Sequence, residues 1–157
     1  MSEGEDGTEP HERVIRMTTA LDLDGDGSRI AQARHLTADF LAKVRAEHGL
    51  SVSQRGVELA QLAVSELVTN AHKYAPGPAR MHLRVVGDTV EIVVRDSEPS
   101  LPTPRDADAA RVGQHGLEIV KLIARFFEVR QEPAGKSVVV GIALADDVGD
   151  ALTGPHA

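Results

Sequence analysis

The feature that most constrains the fold of this chain is a change in the period of its apolar residues near the middle. Over residues 53–74 the apolar residues recur at the spacing of an amphipathic helix. The next segment, 75–78, reads Ala-Pro-Gly-Pro and cannot continue a helix, because proline has no backbone N–H. In 81–85 apolar residues alternate with polar ones, and a second strand pattern at 90–95 follows the turn at Gly87. The pattern predicts a long helix that stops abruptly and is followed by a β-hairpin.

Other segments add further elements on both sides of this unit. Before it, we predict a first strand at 12–17, a turn-rich loop at 22–27 and a helix at 28–49 that is capped by Ser28 and ended by Gly49. After it, we predict a helix at 117–126 and two last strands at 127–132 and 137–144. Single helices that separate hairpins do not make a parallel doubly wound sheet. The order predicts an α+β protein, a two-layer α/β sandwich whose mixed, mostly antiparallel sheet is covered by helices on one face. Residues 11–145 are expected to form one domain between a disordered tail, 1–10, and a flexible tail, 146–157.

Composition narrows the function classes. The chain has 157 residues and no cysteine, which excludes disulfides, thiolate chemistry and cysteine-based zinc sites. A formal net charge of -7 argues against a generally nucleic-acid-binding surface. The sequence has no long apolar run of the kind that predicts a membrane span. Its acidic start lacks the layout of a signal peptide, in which basic residues precede an apolar stretch. The expected location is the cytoplasm.

Three polar residues share one face of the predicted helix at 53–74. Glu66, Asn70 and Lys73 are spaced at i, i+4 and i+7, beside a separate apolar stripe that can face a core. An amide oxygen can ligate Mg²⁺, an ammonium group can contact phosphate, and a carboxylate can accept a proton. The set suits a metal-bound polyphosphate, although such residues also occur as a solvated flank of a helix.

Two further segments could meet this helix face around one pocket. Asp96 ends the second hairpin strand, and Gly113-Gln-His-Gly116 opens the following helix. Free N–H groups at a helix start attract phosphate, and glycine lets the backbone approach it closely. Each segment alone is weak evidence for a binding site, since strand ends often carry Asp and a Gly-x-x-Gly is usually a flexible loop end.

In this order the segments resemble the ATP-binding domain that anti-sigma factor kinases, sensor histidine kinases, type II topoisomerases and Hsp90-like chaperones share. The resemblance covers about residues 28–144. It implies that the helix carries a Glu and a Mg²⁺-holding Asn, here Glu66 and Asn70, and that Asp96 contacts the adenine amino group. A later glycine motif closes on the phosphates in that superfamily, and 113–120, Gly-Gln-His-Gly-Leu-Glu-Ile-Val, looks like it.

The resemblance therefore implies ATP and Mg²⁺ as cofactors. Glu66 would be the catalytic base, and Asn70 would be both the magnesium ligand and a nucleotide contact. The remaining nucleotide-binding residues would be Lys73, Asp96, Gly113, His115, Gly116 and Leu117. His115 could equally be a solvated loop residue.

Within the superfamily, the chain is most similar to the small, stand-alone anti-sigma group. Residues 62–71, Leu-Ala-Val-Ser-Glu-Leu-Val-Thr-Asn-Ala, are similar to that group's signature. The resemblance implies an ATP-binding regulator that sequesters a sigma factor and phosphorylates a serine on an antagonist protein. It also implies a homodimer, with no direct contact to nucleic acid or membrane.

One departure from the superfamily pattern keeps two alternatives open. Glycines usually follow the Asp, whereas Asp96 is followed by Ser97, Glu98 and Pro99. A carboxylate there could repel ATP, and proline stiffens the loop. The first alternative is a non-catalytic protein-binding module of the same fold, with weakened or lost nucleotide binding. The second is a detached histidine-kinase catalytic domain, which would need a separate histidine-bearing partner.

Overall fold

The computed structural model of the protein describes residues 15–23, 29–74, 78–96, 116–133 and 135–145. In chain order its elements are β1 (Ile15–Leu23), α1 (Arg29–His48), α2 (Gln54–Tyr74), β2 (Ala79–Val86), β3 (Thr89–Asp96), a helix α3 at 116–123, β4 (Phe126–Glu132) and β5 (Gly135–Ala143). The tails predicted at 1–10 and 146–157 lie outside the described residues.

The five described strands form one sheet in the order β1-β2-β3-β5-β4. Each neighbouring pair is antiparallel, so the parallel pairing that a mixed sheet allows does not occur among these strands. Both predicted hairpins are present, as β2 with β3 and as β4 with β5. The predicted fold class, a two-layer α+β sandwich, is confirmed.

The core lies between one face of the sheet and the helices. Alternate residues of β2, β3 and β5 are buried there, because successive side chains of a strand point to opposite faces. They pack against α1, α2 and Val120 of α3. The opposite face carries ion pairs between strands, including Arg84 of β2 with Glu91 of β3 at 2.7 Å and, across β5, Arg95 of β3 with Glu132 of β4 at 3.2 Å. One face of the sheet is therefore apolar and covered, and the other carries charged pairs beside the buried Val93 and Val139.

The largest differences from the predicted element boundaries are at the end of β1, which is predicted at Met17 and lies at Leu23, and at the end of α3. The predicted loop at 22–27 is wrong for Asp22 and Leu23, which continue β1 and pair with β2. Arg80 of β2 also donates to Asp22 at 2.8 Å, which favours the longer strand. The helix predicted at 117–126 ends three residues early, at 123, because Arg125 donates to the Gly141 carbonyl at 2.7 Å and the chain turns into β4.

The N-terminus of α2 is fixed against the end of β5. The Ser53 side chain accepts the Gly56 N–H at 2.9 Å and thereby caps the helix. The Ser53 N–H donates to the Leu144 carbonyl, also at 2.9 Å. Gly56 lies so close to the same carbonyl group that a β-carbon built on it would be 2.8 Å from the Leu144 carbonyl carbon. The helix start is therefore held by backbone contacts that leave no room for a side chain at Gly56.

Among the described residues, no helix has both the length and the apolar character needed to cross a membrane.

Candidate functional site

The sheet pairing brings the end of α2 close to the ends of two strands. Helix α2 ends at Tyr74, and β2 begins only a few residues later, at Ala79. Ala79 pairs with Asp96, the last residue of β3. Asp96 in turn pairs with Lys136, at the start of β5. The C-terminal part of α2, the end of β3 and the start of β5 consequently lie at one end of the molecule.

The polar and apolar faces of α2 are separated as the periodicity predicts. Ala60, Val64, Leu67 and Ala71 are all buried in the core, which confirms the apolar stripe. Glu66 and Asn70 are half-buried and Lys73 is exposed. The helix thus presents a carboxylate and an amide one turn apart at the border between core and solvent. The ammonium group of Lys73 follows nearer the helix end.

Glu66 lies against the first described residue of α3. A β-carbon built on Gly116 would collide with the Glu66 carboxylate and would come within 3.1 Å of its Cδ atom. Only glycine fits here while the carboxylate keeps its place. Glu66 is therefore positioned by the fold, and not only by its place on α2.

Asp96 forms an ion pair with a residue of the neighbouring strand at this end of the sheet. Its Oδ2 atom lies 3.2 Å from Nζ of Lys136, and the Asp96 side chain is only 6% exposed. Both residues are on the sheet face that the helices cover, because Asp96 alternates with buried Val94 and Lys136 with buried Val138. The carboxylate predicted to contact adenine thus has a cation beside it on the same face.

Lys136 is a residue at this end of the sheet that the sequence analysis did not assign to the site. It follows the turn of the second hairpin, where Gly-Lys-Ser reads as an ordinary tight connection. Its relation to Asp96 depends on β5 being the neighbour of β3, which the strand pattern does not reveal. The available signal in the sequence was a lysine that directly follows a hairpin turn and precedes a run of apolar strand residues.

The other predicted nucleotide-binding residues divide into two groups. Gly113 and His115 lie outside the described residues. Leu117 is half-buried and packs against the hydrophobic core, beside Gly116. The described residues therefore bring Glu66 and Gly116 together, and place Asp96 at the end of the sheet that α2 approaches.

The donor set fits Mg²⁺ held mainly by a ligand's phosphates. No group of three or more His, Cys, Asp or Glu residues that could hold a metal occurs within the described ranges. Mg²⁺ prefers one or two protein oxygen ligands together with phosphates and water, and an all-protein cage is not required. The half-buried Asn70 amide, one turn from the Glu66 carboxylate, suits that arrangement.

Comparison with known proteins agrees with this geometry. A search of curated proteins finds no significant match. The family model described as "Histidine kinase-like ATPase domain" matches residues 26–142, three-quarters of the chain, and it includes α1, α2, the hairpins and the intervening helix. The chain therefore belongs to the histidine kinase-like ATPase domain family.

Proposed function

We propose that this ATPase domain is an anti-sigma-type regulator that binds Mg-ATP at the end of the sheet next to α2. The observation that carries the proposal is the contact between Glu66 of α2 and Gly116 of α3. The carboxylate of Glu66 touches α3 at Gly116, and Asp96 at the end of β3 pairs with Ala79 at the start of β2, the strand that follows α2. A carboxylate, an amide, a buried acid and a glycine motif beside a helix are the parts that a nucleotide site of this family uses.

Each residue has a role that its chemistry supports. Asn70 would hold Mg²⁺, which neutralises phosphate charge, and Asp96 would accept a hydrogen bond from the adenine amino group. Lys73 is exposed and long enough to reach phosphate. The phosphate-contacting set would be completed by the start of α3 and the segment before it, that is Gly113, His115, Gly116 and Leu117.

If the regulator is a kinase, Glu66 is the proton acceptor. A partner serine would give its hydroxyl proton to the Glu66 carboxylate as the serine oxygen bonds to the γ-phosphorus and the bond to the β-phosphate oxygen breaks, releasing ADP. The contact with Gly116 would fix the direction of that carboxylate. Positioning of this kind supplies much of the catalysis in phosphoryl transfer.

The partners proposed are a sigma factor, which the domain would sequester, and an antagonist protein that carries the serine. The proposal includes a homodimer as the working form. These parts rest on the similarity of residues 62–71 to the anti-sigma group, and each needs its own binding experiment.

Calorimetric titration of the purified protein with Mg-ATP tests the nucleotide site. Loss of an outer partner of a metal ligand already lowers metal affinity by about 10- to 100-fold. Because Asn70 would be the ligand itself, Asn70→Ala should lower Mg-ATP affinity by about 100-fold or more. Gln54→Ala is the matched control, since it removes an exposed amide from the other end of α2 and should leave the affinity unchanged.

A specific observation also favours a second candidate, a protein-binding module that does not transfer phosphate. Both functional carboxylates already have structural neighbours, because Glu66 lies against Gly116 and Asp96 is paired with Lys136. The titration separates the two candidates. No Mg-ATP binding by the wild type would reject the nucleotide site and favour the module, whereas equal binding by wild type and Asn70→Ala would remove Asn70 from it.

A further inference from the structure

We propose that the outer edge of β4 is the surface on which a second copy of this chain docks, with β4 pairing antiparallel to its own copy about a two-fold axis at Val129. The inference rests on the homodimer of the proposed function and deepens it by naming the surface and the register. It does not depend on nucleotide binding, because β4 carries none of the residues assigned to that site.

The first step is that β4 is an edge strand with exposed apolar surface. It is the last strand in the order β1-β2-β3-β5-β4, so among the described strands only β5 pairs with it. Alternate residues of an antiparallel strand point their N–H and C=O groups away from one neighbour, and at an edge these groups can pair with another strand. Val129 is 55% exposed, although Val138 opposite it on β5 is buried. The edge therefore offers both backbone groups and an uncovered valine.

The second step is that the sequence of β4 is complementary to itself. The strand reads Phe-Phe-Glu-Val-Arg-Gln-Glu, so that Glu128 and Arg130 flank Val129. Pairing about Val129 places Glu128 of each copy opposite Arg130 of the other. The two side chains are 50% and 56% exposed, and within one chain they already form an ion pair at 2.7 Å. A two-fold axis repeats the cross-strand pair, and opposite charges that face each other across strands are stabilising.

The third step is that other registers of self-pairing fit less well. Moving the axis by one residue, to Glu128 or to Arg130, sets like charges directly opposite each other, which is destabilising. Moving it by two residues leaves only 126–128 or only 130–132 paired. The axis at Val129 pairs the whole strand and makes the exposed valine meet its own copy.

The fourth step is the exposed apolar surface on the helix-covered side of this edge. Helix α3 lies beside β4 on that side, because Nζ of Lys121 is 5.1 Å from the ring centroid of Phe127, which packs against the core. The next residue of α3, Leu122, is 84% exposed. Pairing at β4 would bring the α3 helices of two copies towards each other and cover Leu122 together with Val129. Burial of apolar surface drives most protein association.

Analytical ultracentrifugation of the full chain at increasing concentration tests the surface. A seven-residue edge is a small interface, since a standard interface uses roughly 20–30 residues a side, so we expect a dimer in the micromolar range. Glu128→Arg places like charges on both sides of the axis and should raise the dissociation constant of the dimer by about tenfold or more. Arg130→Glu should do the same.

An equimolar mixture of these two variants should form a dimer again, with a dissociation constant within about threefold of that of the wild type. In the mixed dimer, each arginine of one chain faces a glutamate of the other. Lys43→Glu is the matched control, because it reverses one exposed charge on α1 and should leave the dissociation constant unchanged.

Cross-linking tests the register without a change of charge. The chain has no cysteine, so a disulfide in a single-cysteine variant must join two chains. Directly opposite Cα atoms of an antiparallel pair lie about 4.5–5.5 Å apart, which suits a disulfide. Val129→Cys should therefore form a covalent dimer on mild oxidation. Thr18→Cys, at an exposed position on the other edge strand, β1, should cross-link much more slowly.

Thermal melts of each variant verify that it is folded. A wild-type dimer whose dissociation constant is unchanged in folded Glu128→Arg would overturn this inference and leave the homodimer to another surface. So would a mixture of the two charge variants that stays monomeric, or Thr18→Cys that cross-links faster than Val129→Cys. A wild type that is monomeric at several hundred micromolar would reject the inference together with the homodimer, while titration with Mg-ATP decides the nucleotide site separately.

Discussion

Replacing Gly56 by alanine should destabilise this protein, although alanine is the better helix former. In an exposed helix interior the change would stabilise by up to about 1 kcal/mol. In α2 the added methyl group would instead meet the Leu144 backbone, with the carbonyl carbon only 2.8 Å away. Overpacking of this kind lowers the free energy of unfolding by about 1–3 kcal/mol. The upper half of that range applies when the neighbouring atoms cannot move.

The Leu144 backbone is held on both sides. Its N–H donates to the Asp88 carbonyl and its own carbonyl accepts from the Ser53 N–H, each at 2.9 Å. We therefore expect a net loss of about 1–2 kcal/mol in the free energy of unfolding. For a chain of this size that lowers the melting temperature by roughly 2–8 °C.

Gly116→Ala is the matched control, because the added methyl group would also collide with a neighbouring residue. That neighbour is the end of the flexible Glu66 side chain, which can rotate away at a cost of less than about 1.5 kcal/mol. Urea denaturation of both variants and thermal melts measure the difference. The view that a fixed backbone neighbour decides the sign of the change in the free energy of unfolding would be refuted if Gly56→Ala were as stable as wild type. It would also be refuted if Gly56→Ala were no less stable than Gly116→Ala.

The remaining predictions concern the catalytic base and the charged face of the sheet. Glu66→Gln should keep Mg-ATP affinity within about threefold, because the amide is nearly isosteric, and should abolish phosphate transfer to a partner serine. Transfer that continues at the wild-type rate would exclude Glu66 as the base. Burial, followed by the charges of Arg80, Arg95 and Arg84, lowers the pKa of His82 below 6.5, so the folded state resists protonation and stability is lost as the pH falls below 6.5. His82→Gln should therefore lose less stability than wild type between pH 7.5 and pH 5.5 in urea titrations, and an equal loss in both would contradict this origin.

Much of the fold and part of the site could be predicted from local sequence patterns. The apolar period of α2 and the Pro-Gly-Pro stop after it fix a helix that ends at Tyr74. Helix geometry then places Glu66 and Asn70 on one face whatever surrounds them. The alternating residues after the stop predict the β2–β3 hairpin, and with it the position of Asp96 at a strand end.

Other features could not be predicted from local patterns because they depend on contacts with residues of other strands. Strand β1 continues through Asp22 because a cross-strand partner, Arg80, is available to it. Helix α3 is shorter than its apolar pattern because the backbone of Arg125 bonds to β5. The sequence around α3 shows that these residues favour a helix, but it does not show the strand β5 whose backbone competes for the hydrogen bond.

The sequence by itself determined which residues share the polar face of α2, because a helix relates residues only a few positions apart. The tertiary structure decided that Gly116 touches Glu66 and that Lys136 pairs with Asp96. Both contacts join segments far apart in the chain, and the pair of Lys136 with Asp96 exists because β5 is the neighbour of β3 in the sheet. Strand order follows from the packing of the whole core, so the identity of a carboxylate's neighbour is a property of the fold and not of the motif that contains it.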